Sequence, residues 1–239
     1  MKDFQLAIFG ICLSVAILIS TLILSNTALQ VKRYAGESLT VTGAASQKIN
    51  SNQAKWTANF YRRATSQAEA YRLLMADQKQ VLAFLNEQGI KEDAVNLGAV
   101  NTMLRYHRNS NDIKGYELSQ NIAITSTDVT KVTDIAKKSS NLISQGLDFR
   151  SNAPQYYYTK LDEIKVSLLK AATQNARARA ASMADSSGRK VGALRQSRMG
   201  VFQITGETST DVSDYGIYDT SSIRKKVTAV VNTTFDLAQ

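Results

Sequence analysis

His107 is the single imidazole of the chain and stands in the run Arg105-Tyr106-His107-Arg108. Histidine trades a proton near neutral pH more readily than any other side chain, but a general base needs a nucleophile beside it and an acid to orient it. Two arginines and a tyrosine at a strand end supply neither, so the expected role is that of an exposed histidine beside a turn. Arg177 and Arg179 lie two apart on an expected helix, point to different faces and cannot clamp one anion together; solvation or an intersubunit salt bridge is their expected use. Arg224-Lys225-Lys226 opens the last strand directly after residues 206–222, which hold Glu207, Asp211, Asp214 and Asp219 and no basic residue. Local charge pairing is the expectation there, with phosphate or lipid binding as the alternative. In Tyr156-Tyr157-Tyr158, strand alternation puts Tyr156 and Tyr158 on one face and Tyr157 on the other, so at least one ring should be partly exposed. Exposed strand tyrosines are interface candidates, against core packing or a carbohydrate platform as alternatives.

Much other chemistry is excluded by composition. One Cys and one His in 239 residues rule out an intramolecular disulfide, a multi-cysteine zinc site and multi-histidine metal sites. We expect no catalytic, cofactor-binding or metal-binding residues, no cofactor, and a chain that is not an enzyme. With 44% apolar residues, 12 Gly and 1 Pro, the chain can bury a core and form a globular body. The net charge of +9 is spread as +2, +3 and +4 over residues 1–33, 34–150 and 151–239. Nucleic-acid modules concentrate their cations, so no nucleic-acid partner is expected.

From Phe4 to Leu24 the sequence FQLAIFGICLSVAILISTLIL carries no charge. About 20 apolar residues, at 1.5 Å rise each, span a bilayer core. Residues 1–33 are therefore expected to be a single-pass inner-membrane anchor with its linker, leaving 34–239 in the periplasm. The alternative is a cleaved signal peptide, although the apolar run is longer than a usual signal core. Cys12 lies inside this segment, so the exported part has no thiol, as suits an oxidising compartment.

Beyond it strand and helix periods alternate. Strands are expected at Leu39 to Ser46, at Lys55 to Arg63 with Trp56, Ala58 and Phe60 on one face, at Val95 to Arg108 and at Tyr116 to Ser126. The last two are joined by the turn Asn109-Ser110-Asn111-Asp112. A helix over Ser66 to Gln88 shows Tyr71, Leu74, Gln78, Val81, Leu82 and Leu85 at helical spacing, with Ser66 and Glu69 as a capping box. Another spans Val129 to Gln145. Both end in Leu-x-x-Gln-Gly-aliphatic, at Gly89 and Gly146, which suggests a β-β-α unit used twice. A strand around Phe149 to Thr159 contains Pro154. The longest helix, Leu161 to Ser187, buries Leu161, Ile164, Leu168, Ala172, Ala176, Ala180 and Met183, and Gly188 stops it. Strands at Val191 to Ile204 and Lys226 to Leu237 follow, around the polar loop 206–222.

The stretch from Ala176 to Gly192, ARARAASMADSSGRKVG, resembles the A-r-x-k-A-x-x-l-A-x-x-x-G-x-x-l-G signature of the SIMPL-domain family of bacterial envelope proteins. Leu39-Thr40-Val41-Thr42-Gly43 resembles its opening strand and Val227 to Leu237 its closing one. Ala45 and Ser51-Asn52 stand where the family often has a second Gly and a Pro-Asp pair. The resemblance implies an exported α+β domain: a twisted, mainly antiparallel sheet packed against two to three helices, preceded here by a transmembrane helix. Some relatives are immunogenic antigens, some are linked to oxidative-stress defence, and at least one looks like a ring- or channel-like oligomer. The family has no agreed activity and no catalytic residues to carry over. Its signature is structural: Ala176, Ala180 and Ala184 flatten a helix face, while Gly188 and Gly192 are expected to end the helix and turn into a strand. The expectation is thus an anchored, non-enzymatic envelope scaffold that partners with itself and with the bilayer. A monomeric module for an envelope ligand or polymer is the alternative, and an enzyme using His107 a third reading. Any stress role would be indirect, since the exported part has no redox centre among its residues.

Overall fold

The computed structural model describes residues 2–34, 37–108 and 110–238. Helix α1 (Lys2–Tyr34) is followed by strands β1 (Ser38–Asn50) and β2 (Gln53–Ala64), helix α2 (Gln67–Glu87) and strands β3 (Val95–Tyr106) and β4 (Ile113–Ser126). Helices α3 (Val129–Lys138) and α4 (Ser140–Ser144), strands β5 (Asp148–Ser151) and β6 (Gln155–Tyr157), and helix α5 (Leu161–Asp185) come next. Strands β7 (Lys190–Met199), β8 (Gln203–Gly206), β9 (Ile217–Tyr218) and β10 (Arg224–Ala238) complete the chain.

The result is α+β with two mostly antiparallel sheets where a single sheet is expected. Alternation tells which face of a strand is buried and says nothing of its neighbour, so the split is invisible in the pattern. The β-β-α units also pair differently: β3 and β4 form a hairpin, whereas β1 neighbours β10 and β2 pairs with β4.

Two compact units are present, the first made of residues 1–44, 170–200 and 230–239, the second of 45–169 and 201–229. In the second unit β2 is central, paired with β4 on one side and with β5 and β6 beyond. Trp56 and Phe60 from β2, Ile122 from β4, Leu74, Val81 and Leu85 from α2 and Ile135 from α3 form its core. Trp56 Nε1 donates to Ser151 Oγ at 2.9 Å, which satisfies the one polar atom of a wholly buried ring. In the first unit β10 pairs antiparallel with β7 from Val231 to Ala238 and neighbours β1. Val41, Ala172, Ala176, Ala180, Val231 and Phe235 are buried there.

Several expectations shift for local reasons. In α2, Tyr71 is half exposed and the buried line is Ala70, Leu74, Asp77, Val81 and Leu85. The buried Asp77 carboxylate takes two hydrogen bonds from Arg62, at 2.5 and 2.6 Å, so a charge occupies a core position because its partner reaches it. Ser66 does cap α2, accepting from Glu69 N at 3.3 Å, but the Glu69 side chain pairs with Arg72, so only half of a capping box forms. The helix expected over Val129 to Gln145 breaks at Ser139, whose hydroxyl bonds back to Ala136 O at 2.7 Å. The strand expected around Phe149 to Thr159 becomes two, with Pro154 in the gap, because proline has no N–H to give a sheet. The strand expected over Val191 to Ile204 divides at Gly200 into β7 and β8. In α5, Met183 is exposed and Ala184 takes the buried position.

The helix ends at Gly89, Gly146 and Gly188 share one geometry. Each glycine has φ between 73° and 89°. The residue after it donates back to a helix carbonyl: Ile90 to Leu85, Leu147 to Leu142 and Arg189 to Ala184. This is the left-handed stop that the Gln-Gly-aliphatic pattern predicts at the first two, with Ile90 and Leu147 buried behind it.

The expected membrane anchor, Phe4 to Leu24, lies within α1, but the side chains at 2–9, 11–12 and 29–34 lie outside the described residues. Among the described residues no helix is long and apolar enough to cross a membrane. Asn109 of the expected turn also lies outside the described residues.

Candidate functional site

The signature residues position one close approach. Gly43 of β1 lies against α5 so tightly that a Cβ there would sit 2.6 Å from Ala176 Cβ and overlap Ala172 O. Asn175 Oδ1 accepts from Ala44 N at 3.2 Å, and Arg179 donates to Thr42 O at 3.1 Å. Arg179 thus fastens helix to strand, while Arg177 is exposed. Ala176, Ala180 and Ala184 are buried; Gly192 lies inside β7 against Asp236 of β10, beyond the turn expected of it.

The three tyrosines do not form one exposed face. Tyr156 is buried in the core and its hydroxyl shares a 3.0 Å hydrogen bond with Thr133, while the Tyr157 ring lies 6.4 Å from that of Tyr218. Only Tyr156 and Tyr157 are in β6, so the alternation expected through Tyr158 stops short.

The basic run and the acidic loop do meet, in the second unit. Lys225 is fully buried, and its Nζ donates to Asp219 O at 2.5 Å and to Asp219 Oδ2 at 3.3 Å. Asp219 Oδ1 also accepts from Ser221 N and Oγ, at 2.8 and 2.6 Å. Oδ2 accepts from Ser222 N at 3.3 Å and from Ser222 Oγ. Burial works against the Asp219 carboxylate, but the hydrogen bonds from Ser221 and Ser222 and the charge of Lys225 outweigh it and hold its pKa well below the usual range. Burial pushes the Lys225 ammonium below its ordinary value, against the attraction of Asp219. Glu207 pairs with Lys48 at 2.9 Å and with Arg224 at 3.3 Å. Asp219, Ser221 and Ser222 line a cleft of about 380 Å³ together with Thr205, Ser209 and Asp211. The Thr205 hydroxyl is buried without a hydrogen-bond partner among the described residues.

Lowered in the fold, the Asp219 pKa contributes stability that is complete above its unfolded value of about 3.9 and is lost as pH falls through and below it. Melting between pH 7 and pH 3 should therefore show a decline that Asp219→Asn flattens. At pH 7, Asp219→Ala should cost about 2–3 kcal/mol, since the buried ammonium keeps the carbonyl of residue 219 but loses its counter-charge, and the donors of Ser221 and Ser222 lose their acceptor. Lys225→Met should cost less than about 1 kcal/mol, since the carboxylate keeps its serine donors. Chemical denaturation of the two variants checks the asymmetry, and equal losses would refute it.

His107 stands at the end of the β3–β4 hairpin, exposed, with its backbone N donating to Asp112 O at 3.0 Å. Among the described residues its imidazole makes no side-chain hydrogen bond, and no three metal-binding side chains cluster. The hairpin itself carries a feature that periodicity missed. From the pair Met103–Glu117 outward, at the end of β2 and past it, strand β3 is exposed on both faces. Met103 is 66% exposed on one face, and Leu104, Tyr106 (53%) and Ile113 line the other. Arg105, His107, Arg108 and Lys114 surround them. The available signal was the unbroken run Met103-Leu104 with Tyr106, apolar at adjacent positions where a half-buried strand should alternate.

The family model for SIMPL, described as a protein of unknown function (DUF541), matches residues 39–235. The chain belongs to the SIMPL family. Membership makes it an envelope-type protein of unknown function. A search of curated proteins finds no match. Among solved structures, the de novo designed protein Foldit4 is 13% identical over 41% of this chain and 96% of its own, with a TM-score of 0.21. A hydantoinase/carbamoylase-family amidase from Burkholderia phymatum is 8% identical, over 52% of this chain and 33% of its own, at 0.28. One from Burkholderia vietnamiensis is 12% identical, over 49% and 30%, at 0.23. This chain thus spans about a third of the amidases' length, and at these scores the likenesses bear on neither fold nor activity.

Proposed function

We propose that this SIMPL protein is a non-enzymatic scaffold of the bacterial envelope, held in the inner membrane by Phe4 to Leu24 with the remainder in the periplasm, and assembling with copies of itself. The observation that carries assembly is the β3–β4 ribbon. Where β3 and β4 run out past the end of β2, Met103 on one face and Leu104, Tyr106 and Ile113 on the other are left exposed without a core, and monomeric proteins rarely leave such surface uncovered. Strand β3 is also the edge of its sheet, with main-chain groups free to meet another chain. Anchoring is supported by the uncharged run in the sequence. Confinement to a plane raises the effective concentration of weak lateral contacts. Any part in stress tolerance is indirect, through envelope integrity.

The absolute mass of the full chain in mild detergent, measured by light scattering over a range of concentrations, tests the scaffold. A discrete multiple of 26.2 kDa that persists on dilution is expected; a monomer throughout would end the reading. A second reading, capture of an envelope ligand by a monomer, is favoured by the hydroxyl-rich cleft and the unpartnered Thr205 hydroxyl. It requires a monomer whose melting temperature rises on adding ligand.

A further inference from the structure

Two exposed surfaces of the second unit are complementary. The first is the β3–β4 arm, with apolar Met103, Leu104, Tyr106 and Ile113 among Arg105, Arg108 and Lys114. No cation of the arm has an ion-pair partner among the described residues, and the one acidic residue at its turn, Asp112, accepts from Ser110. The second is the turn Asp211-Val212-Ser213-Asp214-Tyr215. Glu207 and Asp219 of the same loop are neutralised by Lys48, Arg224 and Lys225, whereas Asp211 and Asp214 have no cationic partner among the described residues. Between and beside them, Val212 is 77% and Tyr215 98% exposed. Within one chain both surfaces are exposed, so neither covers the other.

We infer that the β3–β4 arm of one copy docks on the Asp211–Tyr215 turn of a second copy. The inference rests on the scaffold reading and names its contact. Arg108 at the tip and Lys114 beside Ile113 meet Asp211 and Asp214, while Tyr106 with Leu104 and Ile113 on its face covers Val212 and Tyr215. Opposite charge supplies register and on-rate, and the rings supply desolvated area at small entropic cost. The contact joins two different surfaces, so it is heterologous. Each copy keeps a free arm or a free turn until a ring closes or a filament extends. The partner is a copy of this chain because both halves of the contact are present on it, unpaired and of opposite sign.

The test is charge reversal, read by sedimentation velocity of the full chain in mild detergent. Arg108→Glu with Lys114→Glu, and separately Asp211→Lys with Asp214→Lys, should each weaken assembly at least about tenfold. Mixing the two reversed proteins in equal amounts should restore it, because each then offers the other a matched arm and a matched turn. A second measurement guards against misfolded variants. With Cys12→Ser in both, a Tyr106→Cys protein mixed with a Val212→Cys protein should form an intermolecular disulfide on mild oxidation, in excess of that formed by either alone. Reversed variants that assemble like the parent, or no excess disulfide, would overturn the arm-to-turn contact while leaving the scaffold standing. A parent chain that is monomeric at every concentration would remove the scaffold and this contact with it.

Discussion

Gly43→Ala and Ala176→Leu are each expected to dismantle the first unit. At Gly43 the added methyl would lie 2.6 Å from Ala176 Cβ and inside the radius of Ala172 O, a backbone atom that cannot move aside without displacing α5. Ala176 is fully buried, and three further carbons there have no space. Overpacking a tight core costs about 1–3 kcal/mol and more when backbone must shift, so a loss of about 3 kcal/mol or more is the expectation for Ala176→Leu. Against total stabilities of about 5–15 kcal/mol, that leaves little in reserve. Ala178→Leu, on the exposed side of the same helix, should change stability by less than about 0.5 kcal/mol. Far-UV circular dichroism during urea denaturation distinguishes these outcomes. If Ala176→Leu melts with the parent, the close approach of α5 to β1 is not what the signature alanines secure.

Trp56→Ala should have the largest effect on the second unit, about 3–5 kcal/mol. The ring is wholly buried, lies 6.2 Å from that of Phe149, and ties β2 to β5 through Ser151 Oγ. Trp56→Phe keeps most of the volume and loses the hydrogen bond, so about 1–2 kcal/mol is expected. Because Trp56 is the chain's single tryptophan, its fluorescence follows the second unit alone, whereas circular dichroism follows both. In Ala176→Leu the two probes should separate, with the fluorescence transition moved less. Coincident shifts would show that the units unfold as one.

Much of this architecture was legible from residue order. The alternation of Trp56, Ala58 and Phe60, or of Val227 to Phe235, names a strand and its buried face, because successive strand side chains point to opposite sides. Gln-Gly-aliphatic at 88–90 and 145–147 names two helix stops, because glycine alone enters the left-handed region without strain. The small residues of the signature announce a close approach but not to what; that its partner is Gly43, more than a hundred residues earlier, is a tertiary fact.

Other outcomes were beyond local pattern for a physical reason. Whether a polar residue is buried depends on a partner distant in sequence: Asp77 is buried because Arg62 reaches it, and Lys225 because the acidic loop folds back so that Asp219 accepts from it. Tyr156 is core because Thr133 meets its hydroxyl, and no spacing within Tyr156-Tyr157-Tyr158 says so. The split into two sheets turns on which strands neighbour one another, a matter of backbone hydrogen bonds that every non-proline residue can make equally. The amino acid sequence by itself determined the family, the periods, the faces and the helix stops, since these are set by side-chain shape and spacing within a few residues. Only the tertiary structure decided which strands pair, which charges are buried and which apolar residues of the β3–β4 arm are left without a core, since each of these depends on groups that the chain brings together from far apart.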